Sequence, residues 1–233
     1  GLDVTGSMGG IPRQLIASGL PTLMTTLIQR GVPDAALCFL AIGDHEYDRF
    51  PIQIAQFESG DAELDMWLTR TFLEGGGGGN RGESYPLAWE FAANRVCSDA
   101  WDKRKQKGFL ITIGDEPFLD SFPASAMNEI YGKTSFAQGT ASAADFLKAA
   151  RERFHVIHIS VKHGGRGVDP MWSQVLGDDH IVTNDHEEVP ALIAEAVITR
   201  ISQTNRQAKK ETKSEVATPT QGKTEKVEEP SML

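Results

Sequence analysis

Asp3-Val4-Thr5-Gly6-Ser7-Met8-Gly9-Gly10 is the stretch that decides how this chain is read. It sets one carboxylate and two hydroxyls at alternate positions where an extended segment breaks into a turn before a helix. Gly6 lets the backbone turn tightly between them. Side chains at positions 3, 5 and 7 then converge, and an all-oxygen set suits a hard divalent cation such as Mg²⁺, which keeps several waters and accepts an incomplete protein cage. The same Ser and Thr would also serve as caps for the first N–H groups of a helix.

A second acidic turn follows a second apolar run, Gly108-Phe109-Leu110-Ile111-Thr112-Ile113-Gly114-Asp115-Glu116-Pro117. The run reads as a buried parallel strand that delivers Asp115 at its C-terminal edge. In an open α/β sheet ligands bind outside those edges, where the strand order reverses, so the two acidic turns are expected to face one another.

The intervening elements fit such a sheet. Ile11, Leu15, Ile16, Leu20, Leu23, Met24, Leu27 and Ile28 recur at helical spacing and predict one helix ending before Gly31. Residues 35–42 read as a strand and 52–57 as an edge strand with a wet face. Helices are expected over 61–72, opened by Asp61 as a cap, over 84–95, 123–131 and 142–154, and around 172–176. Residues 155–161 and Ile181-Val182 read as strands, and 187–201 as a final helix with a core-facing stripe. Strands alternating with helices imply an α/β fold: a doubly wound, mostly parallel central sheet with helices on both faces, Rossmann-like in outline.

These residues resemble the von Willebrand factor A (VWA) domains, whose metal-ion-dependent adhesion site (MIDAS) opens Asp-x-Ser/Thr-x-Ser. Asp3, Thr5 and Ser7 match that element residue for residue. The next ligand of the family lies in a loop before a later helix, where this chain has Gly75-Gly76-Gly77-Gly78-Gly79-Asn80-Arg81-Gly82-Glu83-Ser84. Against the bacterial pattern Gly-Gly-Asp-x-Pro-Glu, Asn80 stands in the place of Asp, Gly82 replaces Pro and Glu83 matches Glu. An amide oxygen coordinates without adding charge, so this contact is expected to be weaker or to run through water. Asp115 matches the last ligand. The resemblance spans about Leu2 to Ser202 and implies metal ligands Asp3, Thr5, Ser7, Asn80 and Asp115 around Mg²⁺ or Mn²⁺.

Composition narrows the function classes. The 233 residues carry a net charge of −9, and the segment after Ser202, with six Lys/Arg and five Glu, leaves −10 on the remainder. An acidic surface repels phosphate backbones, which argues against nucleic acid. No apolar run approaches the ~20 residues that span a bilayer. Cys38 and Cys97 fall on separate elements without metal spacing, so free thiols and a cytoplasmic setting are expected. The chain opens at Gly1-Leu2 with almost no strand before Asp3, where the family has a buried apolar strand. The expected organisation is therefore one N-terminally incomplete domain over residues 1–202, its first strand truncated, and a disordered polar tail over 203–233.

Other features carry less. Gly75 to Gly79 lacks the Lys-Ser/Thr of a phosphate-binding loop. His155 and His158, three apart on a strand, face opposite sides. Asp44 and His45 end a strand near the site and suit a supporting role. The four tryptophans read as packing residues.

The expected function is a protein-binding module: the ion keeps one coordination position for an Asp or Glu of a partner protein. The competing readings are a metal-assisted hydrolase or phosphotransferase using Asp3 or Asp115, and a scaffold with a degenerate metal site, which Asn80 keeps open.

Overall fold

The computed structural model describes every residue except Pro33, Gly77, Gly78, Arg81, 133–135, Ala137, Gln138, Arg166 and 217–233, and leaves the side chains of 207–216 undescribed. Of the tail expected to be disordered over 203–233, residues 217–233 thus lie outside the described residues. In chain order the elements are β1 (Leu2–Asp3), α1 (Ile11–Gln14), α2 (Leu23–Gln29), β2 (Leu37–Ile42), β3 (Ile52–Glu58), α3 (Asp61–Arg70), α4 (Tyr85–Asn94) and α5 (Asp99–Arg104). There follow β4 (Gly108–Gly114), β5 (Ser121–Pro123), α6 (Ala124–Tyr131), β6 (Thr140–Ser142), α7 (Ala143–Arg153), β7 (Phe154–Val161), α8 (Pro170–Leu176), β8 (His180–Thr183) and α9 (Val189–Val216).

The main sheet runs β3-β2-β1-β4-β7-β8. Every neighbouring pair is parallel except β2 with β3, where the edge strand returns antiparallel. The order reverses between β1 and β4, so the ends of these two strands open a crevice between them. β1 contributes two residues to strands of six and seven: Leu2 lies opposite Ala41 and Ile113, and Asp3 opposite Ile42.

Alternation along the strands divides the core into two layers. Leu2, Ala41, Ile113, Ile159 and Val161 point to one face, where α1, α2, α3 and α9 cover them with Ile11, Leu23, Leu27, Leu64, Leu68 and Ile193. Leu40, Ile42, Leu110 and Val156 point to the other, under α4, α6, α7 and α8 with Trp89, Phe122, Met127, Leu147 and Trp172. Asp3 follows Leu2 and so turns toward the second, aromatic layer.

Three local readings change. The expected single helix over 11–28 is interrupted: after α1 comes one π turn, Leu15–Gly19, then a 3₁₀ turn, Leu20–Thr22, before α2. Pro21 explains it, because it lacks an N–H and its ring crowds the preceding turn, so the chain widens and then tightens around it. Asp61 is not the cap of α3; Gly60 holds that position and Asp61 begins the helix, with Glu63 beside it at the positive end of the dipole. α9 continues beyond Ile201 to Val216, so residues 203–216, expected in a disordered tail, extend the last helix instead. Short α5 and the two-stranded β5–β6 ladder have no counterpart in the sequence reading.

Candidate metal centre

Asp3 is fully buried at the end of β1, and both its oxygens are engaged. Oδ1 accepts from the Thr5 backbone N–H at 2.9 Å and from the Thr5 hydroxyl at 2.7 Å. Thr5 Oγ1 lies 3.2 Å from Ser7 Oγ, and Ser7 Oγ donates to Asp115 Oδ1 at 2.7 Å. Two hydroxyl-to-carboxylate hydrogen bonds, Thr5 to Asp3 and Ser7 to Asp115, thus meet across the crevice, with the two hydroxyl oxygens in contact between them. Local geometry makes the first part: the chain leaves β1 extended at Thr5 and tightens into a 3₁₀ turn at Gly6–Met8. The parallel pairing of β1 and β4 makes the second part, since it sets Asp115 beside the turn.

Gly6 is required here. Its N–H donates to Gly76 O and Gly75 N–H donates to Val4 O, so the glycine loop lies directly on the turn. A Cβ on Gly6 would come within 2.6 Å of that Gly76 oxygen.

The floor is supplied by residues before and within α4. Tyr85, fully buried, donates its hydroxyl to Asp3 Oδ2 at 2.6 Å. Gly114 leaves room for it, since a Cβ there would overlap the Tyr85 hydroxyl. Glu83 is 6% exposed, and its Oε2 has no hydrogen-bond partner among the described residues. Its backbone is fixed by pairing with the segment after β4, Glu83 N–H to Pro117 O at 2.9 Å and Leu119 N–H to Glu83 O at 3.0 Å. Beneath Tyr85 the ring of His158 stacks on Trp172 at 3.5 Å, and Trp172 anchors its indole N–H on Glu116 O at 3.0 Å.

Asn80 does not join these pairs. Its described contact is from Nδ2 to Glu46 Oε2 at 3.4 Å, on the loop after β2. That loop also carries Asp44, 1% exposed, whose Oδ1 accepts from Glu46 N–H at 2.8 Å and whose Oδ2 has no partner among the described residues. His45 donates its backbone N–H to Ser84 Oγ at 2.9 Å, tying the loop to the start of α4.

The electrostatics are one-sided. Burial pushes the Asp3 carboxyl up to about 7 against the pull of its Tyr85 and Thr5 hydrogen bonds, and the Asp115 charge adds to the rise. Burial, with the charges of Asp3 and Asp44, carries Glu83 up to about 9, an effect that the nearby Thr5 hydroxyl only partly offsets. Among the described residues no Lys, Arg or His forms an ion pair with Asp3 or Glu83, and no three His, Cys, Asp or Glu side chains make a metal-binding group. The donor set is instead carboxylate plus hydroxyl, hard oxygens throughout, with no counter-charge to the buried carboxylates among the described residues. That set fits a hard divalent cation.

Of the five ligands expected from the sequence, Asp3, Thr5, Ser7 and Asp115 are brought together and Asn80 turns elsewhere. Two participants lie outside that set. Glu83 was legible as the match to the Glu of the family pattern, whereas nothing local distinguishes Tyr85 from any aromatic at the start of a helix.

No protein-family profile matches the chain, and no curated protein does either. Solved structures do. The pilus adhesin SpaC of Lactobacillus rhamnosus GG, in an open conformation, superposes with a TM-score of 0.56 at 11% identity, over 85% of this chain and 29% of the adhesin. Proximal thread matrix protein 1 from the mussel byssus, solved with a zinc-occupied MIDAS motif, superposes with a TM-score of 0.50 at 14% identity, over 82% of this chain and 44% of that protein. The chain therefore spans less than half the length of either. No helix among the described residues is long and apolar enough to cross a membrane. At these identities the likeness is one of fold, and the fold is VWA-like, a mostly parallel sheet between two helical layers.

Proposed function

We propose that this chain is a metal-dependent protein-binding module whose cation site lies at the C-terminal ends of β1 and β4. The observation that carries the reading is the contact of the Thr5–Asp3 and Ser7–Asp115 hydrogen-bonded pairs, which gathers four hard oxygen donors at one sheet edge. In this proposal Asp3, Thr5, Ser7 and Asp115 hold Mg²⁺ or Mn²⁺ directly or through water, and Glu83 supplies further charge from the buried side. Asn80, engaged with Glu46, belongs to the outer set and reaches the site through water. When bound, a divalent cation supplies a Lewis-acidic position that a carboxylate of another protein can occupy.

The protein's own residues do the positioning. Tyr85 holds Asp3 from below and Gly6 lets the glycine loop close over the turn, so the donors are preorganised rather than gathered by the ion. The two fold neighbours are a pilus adhesin and a byssus thread matrix protein, which supports a binding module over an enzyme. Asp3 also suits a holding role more than that of a base or nucleophile, because it is fully buried and accepts three hydrogen bonds. The partner proposed is a protein with an exposed Asp or Glu. The proposed compartment, the cytoplasm, rests on the free thiols of Cys38 and Cys97 alone.

Calorimetric titration with Mg²⁺ and Mn²⁺ tests the site. Asp3→Ala is expected to lower affinity by at least about 100-fold, since it removes a charged ligand and strands the Thr5 and Tyr85 donors. Affinity unchanged on this substitution would refute the proposal.

A further inference from the structure

We infer that the rim beside the metal centre is a second contact for the same partner: Tyr47, Phe50, Phe72 and Arg49 receive an aromatic or large aliphatic side chain about three residues from the partner's acidic residue. This rests on the metal-dependent reading above.

Three large aromatic side chains stand in solvent here, Tyr47 at 52%, Phe50 at 39% and Phe72 at 42% exposure. They are held in place rather than loose. Glu74 accepts from Phe50 N–H at 2.8 Å and from Arg49 N–H at 3.2 Å, and Gln53 brackets Phe72 by donating to its carbonyl and accepting from its N–H at 2.8 and 2.9 Å. Phe50 and Phe72 meet edge to face at 5.6 Å. The Arg49 guanidinium lies over both rings, 5.1 and 5.9 Å from their centroids, and no carboxylate among the described residues pairs with it. An ordered aromatic pair topped by a cation that no described carboxylate pairs suits a partner that is acidic and apolar by turns.

The patch is continuous with the metal centre. Tyr47 leans on the glycine loop, where a Cβ on Gly79 would lie 2.6 Å from its ring, and Gly75 and Gly76 of that loop bond to the turn at Val4 and Gly6. Ile42 pairs with both Asp3 and Ile52, and Gly43 N–H donates to Pro51 O, so Phe50 sits at the same sheet edge as Asp3, two strands across. Two strand spacings make about 10 Å, which an extended peptide covers in about three residues. That geometry sets the spacing between acid and apolar anchor.

The test is selection from a displayed random decapeptide library on the immobilised chain in Mg²⁺, with elution by EDTA. Recovered sequences are expected to carry Asp or Glu with Phe, Trp, Tyr, Leu, Ile or Met two to four positions away. The chain with Phe50→Ser and Phe72→Ser, its Mg²⁺ affinity unchanged by calorimetry, is expected to bind the leading synthetic peptide at least tenfold more weakly, and Arg49→Gln about threefold more weakly. Enrichment of an acid with no apolar spacing would overturn this inference while leaving the metal-dependent reading standing. Enrichment insensitive to EDTA would overturn both, as would no enrichment at all. A wild-type dimer in solution that Phe50→Ser with Phe72→Ser converts to monomer would assign the patch to self-association and overturn the inference.

Discussion

Glu83 and Glu90 stand at either end of the same stretch, just before and within α4, and both are nearly inaccessible at 6% and 2% exposure. Glu90 is answered from within: Arg95 Nε lies 3.0 Å from its Oε2, while the Arg95 guanidinium also covers the Tyr131 ring and donates to Tyr131 O. Glu83 is answered by nothing of opposite sign among the described residues. It shares its surroundings with Asp3 and Asp44, and burial with like charge drives it toward the protonated form. A buried charge paired internally is architecture; a buried cluster of one sign, unanswered among the described residues, calls for a proton or a cation.

Substitutions can break this contrast. Asp3→Ala sets the upper end, with the loss of metal affinity given above. Glu90→Ala is expected to cost about 2 kcal/mol of stability, less than the ~3–5 kcal/mol of a fully buried pair because Arg95 stays 27% exposed. Its Mg²⁺ affinity should stay within about twofold of wild type. Urea unfolding and calorimetry check the two halves, and a large loss of metal affinity would erase the distinction between the glutamates.

Glu83→Gln should do the reverse. It removes charge without changing shape, so metal-free stability is expected to hold or rise while Mg²⁺ affinity falls about tenfold, on the order of 1.4 kcal/mol. A loss of stability in EDTA, measured by the same urea curves, would mean that Glu83 has a partner the contrast denies it.

pH sharpens the comparison further. Unfolded Asp and Glu lose their protons near pH 4, whereas Asp3 and Glu83 in the folded chain keep theirs up to about 7 and about 9. The folded state therefore binds more protons in between. The stability these two groups contribute is fully present below about pH 4 and declines as pH rises toward 9 in EDTA. Saturating Mg²⁺ should flatten the decline by replacing the protons. Urea midpoints at pH 5, 7 and 9, with and without Mg²⁺, give the answer, and a metal-free midpoint that rises over this range would contradict it. The smallest effect belongs to Asn80→Ala, expected to change Mg²⁺ affinity by no more than about twofold, since its amide faces Glu46.

Legibility followed the range of the interactions. Thr5 and Ser7 were readable with Asp3 because all three lie on one short turn, where spacing nearly dictates geometry. Asp115 was readable because a run of Ile, Leu and Phe ending in Gly-Asp leaves little choice about where a parallel strand presents its carboxylate. The break in the first helix was also there to be read in Pro21, yet the apolar stripe masked it: a π turn followed by a 3₁₀ turn returns the stripe to the same face through Leu27, leaving Ile28 exposed. Asn80 was harder to place for a different reason. A glycine-rich loop has no backbone preference of its own, so where its end points is settled by neighbours such as Glu46 and Tyr47, which are distant in sequence.

Sequence alone determined the alternation of strand and helix, the buried faces, and the identity of an oxygen-rich turn, because each is a local matter of periodicity or spacing. The tertiary structure decided that Ser7 meets Asp115, that Tyr85 rises beneath Asp3 through the space left by Gly114, and that Glu83 ends up buried beside carboxylates while Glu90 finds an arginine. Those outcomes depend on which strands become neighbours, and strand order is chosen by the packing of two helical layers on one sheet.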